Sequence, residues 1–144
     1  MQRHVKNLVE KMLFDYPKID GYINKRRNEI KNPFVEDRDE NVGGGKSNKI
    51  TKAIENYVIT VDEDKTLQSL KQQKESINEA LTVLNPDISM VFKRYYFNNE
   101  ARYKTLQGLA TEYHVSKSLL YKERDMFFKD ILKSMDLYYL CKRI

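Results

Sequence analysis

Apolar residues recur at three- and four-residue intervals along most of this chain, and no stretch alternates apolar with polar as a half-buried strand would. A chain patterned this way buries its apolar faces by packing helix on helix, so the expected class is all-α. Residues 3–14 place Val5, Leu8, Val9, Met12 and Leu13 on one helical face. Pro17 suits the first turn of a second helix, where its missing N–H is no loss. That helix runs to about Lys31 on Ile19, Tyr22, Ile23 and Ile30, and 1–31 is expected to form a helical hairpin.

Periodicity fails from Asn32 to Lys49, a charged and Gly-rich stretch long enough to mark a boundary or a working element. It resumes at Ile50, Ala53, Ile54, Tyr57 and Val61, and continues on Leu67, Leu70, Ile77, Leu81 and Leu84. The last five fall on a and d positions of a heptad with Lys74 among them, so 50–85 reads as a connecting helix. The stripe packs either on its own domain or on a second copy, and both readings stay open at this point. Asn85-Pro86-Asp87 then supplies a cap, a proline at the first helical position and an acid in the first turn. Ile88, Val91, Phe92, Tyr95 and Tyr96 share the next apolar face, within an expected C-terminal domain spanning 86–144.

Composition excludes several classes of function. No run approaches the ~20 apolar residues of a membrane span, and mean hydropathy is −0.72. The N-terminal stretch breaks its apolar run with Lys, Asn and Glu, unlike a secretory signal, so an intracellular protein without membrane partner is expected. One cysteine, Cys141, and two distant histidines, His4 and His114, offer neither a disulfide framework nor a metal site. Gly45-Lys46-Ser47 imitates the end of a phosphate-binding P-loop, but Glu40 stands at its first glycine position and no buried strand precedes it. No catalytic group, metal or cofactor is therefore expected. The net charge of +5 is uneven: residues 1–85 carry 15 Lys/Arg against 14 Asp/Glu, and residues 86–144 carry 11 against 7.

That basic segment contains TLQGLATEYHVSKSLLYKERD, residues 105–125. Thr105 caps one expected helix, Leu106, Leu109, Ala110 and Tyr113 share its face, and Ser116 caps the next. Val115 and Leu120 complete a shared core, and His114 occupies the turn where a left-handed residue is needed. This is the layout of a helix-turn-helix, with helices at about 105–113 and 116–140. Outward residues Lys117, Ser118, Tyr121, Lys122 and Asp125 are the expected DNA-facing set, with Thr105, Ser116 and Arg124 beside them. Arg94, Arg102, Lys104, Lys46 and Lys49 are candidates for phosphate contacts. Phe127, Phe128, Ile131, Leu132, Met135 and Leu140 are expected in the core or at a self-association surface.

Residues 84–121, LNPDISMVFKRYYFNN followed by TLQGLATEYHVSKSLLY, resemble the region-4 helix-turn-helix of sigma factors. A longer resemblance joins FDYP at 14–17, RRNEI at 26–30, DENVGGGKSN at 39–48 and AIENY at 53–57 to that motif in the same order. With these pieces the chain resembles the RinA/ArpU-type late transcription activators of phages of Gram-positive bacteria. The resemblance implies a cytoplasmic regulator in a bacterial host, bound to double-stranded DNA upstream of late genes. It implies host RNA polymerase as a partner, and self-association is expected. A DNA-packaging component such as a small terminase subunit, or a helical adaptor without DNA binding, are the alternatives.

Overall fold

The computed structural model describes residues 1–31, 52–56, 60–61, 63–98 and 104–142. Among these residues the chain is all-helical and contains no strand. The helices are α1 (Arg3–Asp15), α2 (Ile19–Lys31), α3 (Lys65–Thr82), α4 (Pro86–Phe92), α5 (Leu106–Glu112) and α6 (Lys117–Ser134). Short 3-10 turns cover Tyr16–Lys18 and Tyr138–Cys141, and residues 52–56 are also helical. No described helix is long and apolar enough to cross a membrane. Gly43, Gly44, Gly45, Lys46, Lys49 and Arg102 lie outside the described residues.

Two compact units are present: Met1–Ile19 with Gln72–Ile144, and Asp20–Lys71. The larger unit buries Val5, Val9, Met12 and Leu13 of α1 together with Ile77 and Ala80 of α3. Ile88, Val91 and Phe92 of α4, Leu106, Leu109 and Ala110 of α5, and Leu120, Phe127, Phe128, Ile131 and Leu132 of α6 complete this core. Leu8, expected on the buried face of α1, is instead 39% exposed. The far end of the heptad stripe is consumed within the unit, since Leu81 and Leu84 also pack against the core.

Local chemistry explains where these helices begin. Asn85 accepts a hydrogen bond from Asp87 N at 2.9 Å, ahead of Pro86 at the first helical position. α4 then widens into a π-helical turn, Lys93–Phe97, which carries three consecutive aromatics. Each has a ring partner: Tyr95 lies 6.1 Å from Phe14, Tyr96 6.2 Å from Phe92, and Phe97 stacks on Tyr16 at 4.6 Å. The last helix stops six residues short of the expected 140, at Ser134. There Asp136 turns left-handed at φ 58°, Leu137 N donates to Leu132 O at 2.7 Å, and Asp136 N donates to Lys133 O at 3.1 Å. These are the paired hydrogen bonds of a Schellman stop, built on aspartate where glycine is usual.

In the smaller unit, Arg26 holds Asp64 with two of its three guanidinium nitrogens, Nη2 to Oδ2 at 2.7 Å and Nε to Oδ1 at 3.3 Å. Asp64 Oδ1 also accepts from Leu67 N at 2.8 Å and so caps α3. The hydrogen-bonding Arg26 guanidinium holds the Asp64 carboxyl below the usual carboxylate range. Its stabilising effect is present above the unfolded value of roughly 4 and disappears as pH falls through the lower folded value. Asp64→Asn is therefore expected to lower the thermal midpoint at neutral pH, and the gap to the parent should be closed at an acid pH below the folded-state value of Asp64. An equal gap at both pH values would show that the ion pair contributes nothing.

Candidate nucleic-acid interface

Thr105 Oγ1 accepts from Gly108 N at 2.9 Å and starts α5. The helix ends in a second Schellman stop: His114 N donates to Thr111 O at 3.1 Å and Val115 N to Ala110 O at 2.8 Å. His114 sits at φ 57°, the left-handed conformation expected of it. Ser116 Oγ then accepts from Leu119 N at 3.2 Å and starts α6. Two capped helices are thus joined by four residues, with Leu109, Ala110 and Leu120 buried on their inner side. An L-residue held left-handed costs about 1 kcal/mol that glycine escapes, partly offset by glycine's greater freedom when unfolded. His114→Gly is expected to stabilise the chain by about 0.5–1 kcal/mol in thermal unfolding. A lower midpoint would mean the exposed His114 ring makes a contact worth more than the strain.

Among the predicted DNA-facing residues, Lys117, Ser118 and Lys122 are exposed on α6. Thr105 and Ser116 are exposed as caps, and Asp125 is half-buried. Tyr121 is less free than expected. Its hydroxyl accepts from Gln107 Nε2 at 2.7 Å, which ties α6 to α5, and the Arg124 guanidinium lies 4.8 Å from its ring centroid.

Arg124 departs most from the sequence expectation. Its side chain is 16% exposed, 4.0 Å from Glu10 Oε1 through Nη1 and 5.8 Å from the Phe128 ring centroid. Its Nε is buried with no partner. The physical reason is position: Arg124 is four residues from Leu120 and from Phe128, on the stripe that α6 turns inward. Tyr96 donates to the same Glu10 Oε1 at 3.2 Å. Burial first, then the Glu10 charge, pushes the Tyr96 phenol far above its usual range, so it keeps that proton.

Arg94 and Lys104 converge on Glu112, the last residue of α5. Arg94 Nη1 reaches Oε2 and Lys104 Nζ reaches Oε1, each at 2.8 Å. The Arg94 guanidinium also lies 5.8 Å from the Tyr113 ring centroid. Hydrogen bonds from Lys104 and Arg94 hold the Glu112 carboxyl below its usual range. Both cations are legible in the sequence, whereas their shared partner is not. The one signal for it is an acid in the last turn of a helix, where the helix dipole disfavours it. Gln107 gives no comparable signal. Among the described residues no three His, Cys, Asp or Glu side chains converge as metal ligands.

Residues 6–133 match the family described as Protein of unknown function (DUF722). The chain belongs to the DUF722 family. The match takes in α5, the turn and all but the last residue of α6, so the candidate interface lies within the DUF722 region. No curated protein and no solved structure matches the chain.

Proposed function

We propose that this DUF722 chain is a phage-type transcriptional regulator that binds promoter DNA through α5 and α6 as a helix-turn-helix and activates late genes with host RNA polymerase. The observation that carries the reading is the capped junction at Thr105–Ser116. It turns apolar side chains inward and leaves Lys117, Ser118 and Lys122 exposed in the first turn and a half of α6. A helix presented by its N-terminal residues is the form in which major-groove readers work. The resemblance to RinA/ArpU-type activators supplies the late-gene role, and the basic excess in 86–144 supplies phosphate attraction that weakens with salt.

In the mechanism, Lys117, Ser118 and Lys122 meet base edges while neighbouring cations meet phosphates. Tyr121, anchored to Gln107, fixes the roll of α6 and sets which side chains face the groove. Two copies would read half-sites about one helical turn apart, or a multiple of it. The chain performs no catalytic step.

Selection of duplexes from a random library by the full chain tests the reading, followed by a reporter driven by the phage DNA upstream of its late genes. Enrichment of one sequence and higher transcription in the presence of the chain are expected. Enrichment without activation would move the reading to a packaging component, and no retention of DNA at low salt would leave only the helical adaptor.

A further inference from the structure

We propose that Arg94 and Lys104 form a binding site for one backbone phosphate of double-stranded DNA, and that Glu112 occupies this site in the free chain and yields it on binding. The inference rests on the DNA-binding reading above and adds to it a built-in competitor. Arg94 comes from the π-helical turn, Lys104 from the segment before α5, and Glu112 from the end of α5, yet the three side chains meet at one point. Each cation takes a different oxygen of the carboxylate at 2.8 Å. A phosphodiester offers the same thing, two acceptor oxygens on one atom carrying one negative charge. The arrangement that fits Glu112 therefore fits a phosphate.

A purely structural role explains Glu112 poorly. A carboxylate in the last turn of a helix faces the negative end of the helix dipole. Ion pairs this open to water add little to stability. Glu112 is 44% exposed on its side chain, Lys104 39% and Arg94 23%, so the carboxylate can swing into solvent and a phosphate can reach Lys104 first and Arg94 behind it. Exchanging one anion for another leaves neither cation without a partner. Location adds to the case. Four residues separate Glu112 from Lys117, so the cation pair flanks the turn that presents the exposed end of α6. Glu112 also stays ionised at any physiological pH, which makes the competition one between anions rather than a proton switch.

The test is a double-mutant cycle on the full chain, read by fluorescence anisotropy with a labelled random-sequence duplex at several KCl concentrations. Glu112→Gln is expected to bind roughly 3–10-fold more tightly than the parent. Arg94→Gln with Lys104→Gln is expected to bind more weakly, with a salt slope smaller by about 1. In that double background, Glu112→Gln should change nothing. A gain that persists there would be a general effect of lost negative charge and would overturn the proposal. So would Glu112→Gln binding like the parent, while the DNA-binding reading stood. A parent that binds no duplex at low salt would overturn both. Lys104→Gln alone, at an exposed site, keeps the cycle readable if the double variant folds poorly, and Glu112→Ala should repeat the gain.

Discussion

Phe127→Ala is expected to remove about 3–5 kcal/mol from the stability of the larger unit, measured as the urea midpoint by circular dichroism. Phe127 is 1% exposed, and its ring stacks on Phe92 with centroids 5.3 Å apart and planes 12° from parallel. Phe92 lies in α4 and Phe127 in α6, so this one contact joins segments 35 residues apart in sequence. Tilted ring contacts extend the pair on both sides, with Phe128 at 6.2 Å from Phe127, Tyr96 at 6.2 Å from Phe92, and Phe128 and Tyr96 6.4 Å apart. Truncation removes the ring's burial and leaves a cavity that a close-packed surrounding closes only in part. A domain of this size is stable by about 5–15 kcal/mol, so the loss takes from about a fifth to all of the total. Tyr139→Ala, at a site 62% exposed, should change stability by no more than about 0.5 kcal/mol. If the two variants unfold alike, the aromatic stack is not the centre of the core.

That stack also shows which parts of the fold the sequence discloses. Caps are local, and Asn85, Thr105 and Ser116 each bond a backbone N–H two or three residues ahead, so they are legible by eye. His114 is legible for the same reason: the turn demands a left-handed residue whatever its type. Asp136 meets the same demand, but Met135, Leu137 and Leu140 continue an apolar pattern around it and no glycine marks the stop. The π-helical turn depends on ring partners as distant as Phe14 and Tyr16, which periodicity does not encode. Heptad spacing runs from Leu67 to Leu84 with only Lys74 polar among its a and d positions, while the boundary between compact units falls between Lys71 and Gln72. Arg124 misleads through its chemistry. A guanidinium reads as a surface group, and only its register with Leu120 and Phe128 betrays the inward face. Within the candidate interface, then, the frame and the exposed lysines are legible, and the tertiary partners Glu10, Gln107 and Glu112 are not.

The largest expected effect on binding belongs to Lys117→Ala combined with Lys122→Ala. Both side chains are exposed on α6, five residues apart, so their removal should leave the unfolding midpoint within about 0.5 kcal/mol of the parent. Their truncation is expected to act on discrimination. A well-placed bidentate contact to guanine separates right from wrong base by about 1–3 kcal/mol. Removing two should lower the preference for a selected duplex over its scrambled counterpart by roughly 10-fold or more, and toward none if both lysines are well placed. The same titrations separate base reading from phosphate attraction. If the lysines touch only phosphates, both duplexes weaken together, the preference survives and the salt slope falls by about 1 for each phosphate that is no longer neutralised. If they read bases, the preference collapses and the residual affinity converges on that of the scrambled duplex. A double variant that binds both duplexes as the parent does would place the reading surface elsewhere. Tyr121→Phe then offers an internal check, because it removes the hydroxyl that Gln107 holds while leaving Lys117 and Lys122 in place. A loosened α6 would blunt the preference with the salt slope unchanged, a signature that neither lysine produces alone.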